Sequence, residues 1–370
     1  MKRLTVVQTL PALNMGGVEK GTLEVARALV NAGHRSIVIA EHGHLAQQLI
    51  SEGSEHIDWP IGRKSPFTVR FIPKLRQLLM HECVDILHTR SRLPAWISYL
   101  AWRGLQSDNQ TRFITTMHGA HSVSRYSRIM TRSERIIAVS RFIRDHILSN
   151  YTDTDPDRIV VIPRGIDPAY YYHGYQPAPE WLETWRQQQP HLLDKDLITL
   201  PARLTRRKGH EDFITIIKHL RRQDQPVHGL IVGSHDIRRQ AYADTIKASI
   251  CRESLQQDIT LLGHRDDLRD IMAISRIVLV LSRQPESFGR TALEALSLGI
   301  PVVGYAHGGT AEILETLYPA GAAEACNWQN ALQTITTCLN NKAPVPPVED
   351  YSLQGMVEST LQLYESLVEE

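Results

Sequence analysis

Short apolar runs alternate with stretches of helical apolar spacing, and they do so twice along the chain. In the first half, residues 4–9, 36–40, 84–89, 112–117, 135–139 and 158–162 predict strands. Between the first two lies a helical stretch, 18–31, with Val18, Val25, Ala26, Leu29 and Val30 on one face. The second half repeats the design, with strands over 197–200, 227–232, 258–262, 277–281 and 301–304. Its helices fall over 210–222, 238–253, 289–298 and 327–340. Alternation of this kind specifies parallel sheets covered by helices on both faces. The runs are continuous rather than alternating, as strands buried on both faces require. The expected class is α/β, with two doubly wound, Rossmann-like domains.

The break between the halves is legible. Residues 165–189 hold Pro168, the run Tyr170-Tyr171-Tyr172, Pro177 and Pro179, and read as an interdomain segment. A second Pro-rich stretch, 343–348, precedes a final helix over 352–367. The chain has 370 residues, enough for two domains. No apolar run reaches the ~18 residues of a membrane-spanning helix. A net charge of +1 gives no global nucleic-acid signature. Cys83, Cys251, Cys326 and Cys338 form no C-x-x-C pair and read as reduced thiols. The start of the chain is too short and too polar for a secretory segment, so it reads as a first strand of a cytoplasmic protein. His42-Gly-His44 and His118-x-x-His121 are the closest histidine pairs, and neither makes a metal motif.

Three stretches carry the chemistry. Gly16-Gly17 follows the first strand and opens the first helix, where backbone and helix N–H groups approach a ligand; a plain tight turn fits the same residues. Pro201-Ala-Arg-Leu-Thr-Arg-Arg-Lys-Gly209 sets Arg203 and Lys208 on a strand-end loop. Such a cationic pair suits a diphosphate without a metal, although a solvated basic loop also fits. The stretch from Gln284 to Val303 holds Glu286 on a loop, then Ser287, Phe288, Gly289, Arg290 and Thr291 at a helix start, and Glu294 in the second turn. Phosphate held at that helix start would leave Glu294 near a nucleotide ribose and Glu286 near the attached group. A capped surface helix with solvated acids is the alternative.

The spacing Glu286-x7-Glu294, with Phe288-Gly289 before Gly299-Ile-Pro-Val-Val303, resembles the signature of retaining nucleotide-sugar glycosyltransferases of family 4, which have the GT-B fold. Gly16-Gly17-Val18-Glu19, Ala138-Val139-Ser140, residues 162–167, Arg203…Lys208-Gly209 and Leu262-Gly263-His264 fall in that family's order, so the resemblance covers nearly the whole chain. It departs at Arg164, often Asn in the family, and at Ala202, often Gly. The resemblance implies two domains facing across a cleft: residues 1–165 for the acceptor, with a closing helix 350–370 crossing back, and 166–349 for the nucleotide sugar. It implies that Glu286 contacts the donor sugar, Glu294 the ribose, Arg203 and Lys208 the diphosphate, and backbone around His264 and Arg265 the base. His118, in Thr116-Met-His-Gly119, matches the family's active-site histidine. No metal cofactor is expected, and uridine diphosphate sugars are the expected donors.

The activity so implied is retaining transfer of a hexose to a glycan or glycolipid acceptor. Two rivals stay open: another GT-B nucleotide-sugar enzyme such as an epimerase, and a non-catalytic nucleotide-sugar-binding protein. The charge distribution bears on the acceptor. Residues 1–165 carry 22 basic and 14 acidic residues, a net +8, leaving −7 for the remainder. Arg63, Lys64, Arg70, Lys74 and Arg76 lie beside Trp59, Phe67 and Phe71, and Arg125, Arg128, Arg132, Arg135, Arg141 and Arg144 follow His118. Basic residues interleaved with aromatics suit an anionic inner-membrane surface and a lipopolysaccharide-type acceptor; scattered solvated charge fits as well.

Overall fold

The computed structural model describes residues 2–14, 16–106, 110–234, 240–341 and 344–369. The chain divides into two compact units, residues 1–165 with 351–370, and residues 166–350. The predicted helix over 238–253 appears as Gln240–Arg252, and its first two residues lie outside the described ones.

The first unit is built on seven parallel strands: β1 (Thr5–Ala12), β2 (Arg35–Glu41), β3 (Glu55–Asp58), β4 (Ile86–Thr89), β5 (Arg112–Met117), β6 (Arg135–Ala138) and β7 (Ile159–Val161), in the order β3-β2-β1-β4-β5-β6-β7. β1 pairs β4 with Val6 opposite Ile86 and Thr9 opposite Thr89. The central strands are buried on both faces because helices cover each side; Val38, Ile39 and Ala40 are fully enclosed. The closing helix, Leu353–Glu369, sets Met356, Tyr364 and Leu367 among Leu4, Val6, Leu29 and Ile114. Each such burial contributes about 1.5–3 kcal/mol. This helix belongs to the first unit, whose closing segment, residues 351–370, brings four glutamates with no Lys or Arg, so the unit's net charge is +4 rather than the +8 of residues 1–165 alone.

The second unit has six parallel strands: β8 (Asp196–Pro201), β9 (Val227–Val232), β10 (Ile259–Gly263), β11 (Ile277–Val280), β12 (Val302–Tyr305) and β13 (Ala322–Ala323), in the order β10-β9-β8-β11-β12-β13. Both sheets reverse direction of growth beside their first strand, between β1 and β4 and between β8 and β11, as in dinucleotide-binding folds. Residues 166–189 are no bare connection. They hold a helix, Pro179–Gln188, started by a proline at its first position. Tyr175 and Trp185 are buried, and Trp185 packs with Leu192, Leu197, Leu230 and Ile271.

Candidate functional site

In open α/β sheets ligands bind beyond the carboxyl ends of the strands where the strand order reverses. In the second unit that point lies between β8 and β11, and the loops leaving these strands carry residues 202–209 and 281–289. A short 3-10 turn, Arg206–Lys208, ends on Gly209 and delivers Lys208 to the second loop. There its ammonium donates to Glu286 Oε1, which also accepts from Ser282 Oγ. Burial alone would push the Glu286 carboxyl up. The Lys208 charge, with the hydrogen bonds from Lys208 and Ser282, outweighs it and holds the carboxyl below its ordinary range. The loop is pinned by Gly309 N–H donating to the Glu286 carbonyl at 2.7 Å.

Gly289 then takes a left-handed conformation, φ +90°, against Thr310 of the next helix. A side chain is strained there, and the residue turns the chain into the helix Arg290–Ser297. The first-turn N–H groups, at Arg290 and Thr291, stand at the positive end of this helix. Ser287 is half-buried and Phe288 buried, anchoring the turn from below. Glu294 accepts from Arg290 Nε at 2.9 Å. The Tyr171 hydroxyl also hydrogen-bonds it, with burial first and Glu294 second in pushing that hydroxyl up.

Arg203 is exposed and has no ion-pair partner among the described residues. His264 and Arg265 follow β10. His264 pairs with Asp266 at 3.2 Å, and Arg265 binds Asp267 through two hydrogen bonds of 2.8 and 2.5 Å while lying over the Trp185 ring. The guanidinium is thereby held.

Sequence reasoning missed the clamp beneath this site. Buried Asp212 accepts two hydrogen bonds from Arg283, at 3.0 and 2.6 Å, and one from the Tyr305 hydroxyl at 2.8 Å. It ties the loop after β11 to the helix His210–Arg222 and to β12. No local pattern signals it, because its members are 71 and 93 residues apart.

In the first unit, Gly16 and Gly17 stand between β1 and the helix Gly17–Asn31. A Cβ on Gly16 would meet the Glu19 carboxylate at 2.4 Å, whereas one on Gly17 meets nothing within 4 Å. Gly17→Ala therefore leaves folding intact and stabilises by about 0.4–1 kcal/mol through the unfolded chain. If a ligand lies against this helix start, KM for it rises. Thermal melts beside donor and acceptor kinetics check both; a stable variant with unchanged KM for either substrate removes Gly17 from the binding surface.

His118 follows β5. Arg164 Nη2 donates to its Nδ1 at 2.7 Å, while His118 Nε2 is buried with no hydrogen-bond partner among the described residues. Below, buried His88 joins the Tyr364 hydroxyl at 2.5 Å and Thr116 Oγ1 at 2.6 Å, and Arg90 donates twice to Gln8. Neither Arg164 nor Arg90 stood among the sequence-level candidates. Among the described residues no group of three His, Cys, Asp or Glu is placed to hold a metal ion. None of the helices described is long and apolar enough to cross a membrane, and all four cysteines are free.

Two doubly wound parallel sheets, each reversing its order beside its first strand, define an α/β protein with two Rossmann-like units, and likeness to known proteins gives its class as GT-B. A glycosyltransferase from Rickettsia africae is 30% identical with a TM-score of 0.87, covering 100% of this chain and 99% of its own. The Anabaena protein HepE, in complex with UDP and glucose, is 19% identical with a TM-score of 0.81, covering 98% and 100%. A human phosphatidylinositol N-acetylglucosaminyltransferase subunit is 26% identical over 320 residues, 81% of this chain but 61% of that protein. Residues 15–170 match the family model of Glycosyltransferase Family 4 and residues 182–351 that of Glycosyl transferases group 1. The chain belongs to glycosyltransferase family 4.

Proposed function

We propose that this glycosyltransferase moves a hexose from a uridine diphosphate sugar to a glycan or glycolipid acceptor, with retention at the anomeric carbon. The observation that carries the reading is the meeting of Lys208, Glu286 and Ser282 beside the helix start at Gly289. With no ligand bound, Lys208 and Glu286 neutralise each other. An arriving diphosphate draws the Lys208 ammonium toward itself, joined by Arg203 and the N–H groups of Arg290 and Thr291. The Glu286 carboxylate, kept ionised, then accepts from donor-sugar hydroxyls. Glu294, further along the helix, accepts from ribose hydroxyls, and the backbone at His264 and Arg265 meets the base. The HepE structure with UDP and glucose supports the choice of donor.

Transfer then follows by displacement on one face of the sugar. The leaving diphosphate is stabilised by the cations and helix N–H groups, and its oxygen takes the acceptor proton. The test is incubation with a panel of nucleotide sugars, measuring donor hydrolysis and, with lipid and glycan acceptors, the anomeric configuration of the product. An inverted product removes the retaining mechanism. An epimerised sugar would establish the epimerase rival, and binding without turnover the non-catalytic one.

Cationic side chains at the diphosphate site make a metal unnecessary. Activity after exhaustive dialysis against EDTA should stay within about twofold of the starting value. Loss on chelation with rescue by Mg²⁺ or Mn²⁺ would overturn this part of the reading.

In this reading the acceptor binds the first unit at the cytoplasmic face of a bacterial membrane, with an envelope glycolipid of the lipopolysaccharide type as substrate. The human relative is by name a transferase to phosphatidylinositol, an anionic lipid, which supports an acceptor of this chemistry.

A further inference from the structure

The arginine where the family often carries asparagine is built into the first unit. Arg164 Nη2 donates to His118 Nδ1 at 2.7 Å and to the Gly17 carbonyl at 3.4 Å, and Nη1 reaches Met356 Sδ of the closing helix at 3.8 Å. The guanidinium lies so close to the first helix that a Cβ on Gly21 would sit 2.0 Å from Nη1. Only glycine leaves it that room. The side chain thus bridges the first helix, the turn after β5 and the closing helix.

A guanidinium carries donors and no acceptor. The His118 nitrogen it touches must offer a lone pair, so Nδ1 is unprotonated. In a neutral ring the proton then resides on Nε2, which is buried with no partner among the described residues. A buried donor left unmade costs about 1–3 kcal/mol, and a substrate oxygen supplies the missing acceptor.

We propose that Arg164 is the positioning residue for His118: it takes the Nδ1 lone pair, fixes the ring as the Nε2–H tautomer, and makes His118 a hydrogen-bond donor to a substrate oxygen rather than a proton acceptor. The oxygen is that of a sugar hydroxyl or a phosphate. The use by a substrate rests on the transferase reading; the tautomer does not.

The surrounding charges act the same way. Burial, then Arg164, Arg90 at the end of β4, His88 within β4 and His121 after β5 hold His118 well below the ordinary histidine range. Glu24 of the first helix and Tyr364 of the closing helix interact with Arg90. His118 therefore stays neutral through the working pH range. A depressed value means that protonation, and loss of the donor geometry, begins only at pH well under 6.5.

The experiment is an imidazole nitrogen NMR spectrum of the full chain labelled at histidine, with His118 assigned by His118→Gln. The wild type should show Nδ1 bare and Nε2 protonated from pH 5.5 to 8. Arg164→Lys keeps a cationic donor and should preserve this state. Arg164→Glu offers an acceptor and should move the proton to Nδ1. In Arg164→Asn the ring loses one of the charges that depress it while burial, the larger cause, stays, so its protonation moves up toward the ordinary range and donor turnover should fall off on the acid side at higher pH than in the wild type. A wild-type ring protonated on Nδ1, a reading that needs no variant to fold, overturns the proposal. So does a folded Arg164→Glu variant with an unchanged tautomer. The expected spectrum together with no turnover of any nucleotide sugar would uphold the Arg164 assignment and sink the transferase reading instead.

Discussion

Alanine at Lys208 lowers kcat/KM for donor turnover by about 10²-fold or more, the scale of losing one charge contact made in the transition state. Alanine at Arg203 does the same by a simpler route. Arg203 is exposed and has no ion-pair partner among the described residues, so its removal leaves the fold undisturbed, and any loss reports on ligand alone. On the proposed reading Lys208 binds the diphosphate; in the structure its charge is the largest of the effects that hold Glu286 below its ordinary range against burial. The Lys208→Ala variant therefore shows a second effect: the Glu286 carboxyl moves up, and turnover falls on the acid side at higher pH than in the wild type. The sign follows from the depressed native value, since a carboxylate held low by its cation stays charged to lower pH than one released from it. Steady-state kinetics over a pH series, with melting curves for both variants, separate the two effects. Near-normal turnover in both variants removes the diphosphate role from this loop.

How much of this was legible in the sequence depends on how local each feature is. The central strands, from β1 and β2 to β11 and β12, are continuous apolar runs, and their positions follow within a few residues. The two strands left unpredicted, β3 and β13, each lie at one edge of their sheet: β3 reads Glu-His-Ile-Asp, too polar to give an apolar run, and β13 is only two alanines, whereas the other edges, β7 and β10, are apolar and legible. The helix within 166–189 was hidden by its prolines and tyrosines, although Pro179 is the signal that starts it. The strand-end loops with Lys208 and Glu286 were readable because each follows a clear strand. Their direct contact was not, since 78 residues separate them. The same holds for Arg164 on His118 and Arg283 on Asp212: a departure from the family pattern was visible at Arg164, but only the fold shows that it faces the histidine.

Charge is where structure narrows the sequence reading most, and the narrowing yields a sharp expectation for membrane binding. The cluster after His118 is largely spent within the protein: Arg128 and Arg132 share Asp153 at 3.2 and 3.5 Å, and Arg144 meets Asp145 at 3.4 Å. In the other cluster Arg76 donates to the carbonyls of Leu100 and Ala101, closing a helix end, and Arg63 pairs with Glu41. Trp59 and Phe71 stack on each other and pack inward, at 5.4 Å between rings. What remains outward is a 3-10 turn, Pro66–Arg70, with Phe67 76% and Val69 60% exposed, flanked by exposed Lys64, Arg70 and Lys74. Buried Thr68 anchors the turn by donating to the Arg63 carbonyl at 2.6 Å, so the apolar pair is presented rather than loosely displayed. With the unit's net charge at +4, attraction to an anionic bilayer must come from this local patch and not from a long-range field. Each Lys or Arg at an anionic surface contributes about 1 kcal/mol. Replacing Lys64, Arg70 and Lys74 by Gln therefore weakens partitioning onto anionic vesicles by about 3 kcal/mol, roughly 10²-fold. Phe67→Ser removes a further ~2 kcal/mol of apolar burial. The two losses differ in kind. The charge term fades in the wild type as salt rises, because screening acts over about 8 Å at physiological ionic strength; the Phe67 term does not. Flotation with anionic and neutral liposomes at low and high salt reads both. If the wild type ignores anionic vesicles even at low salt, this turn is ordinary surface, and the acceptor reaches the enzyme from solution.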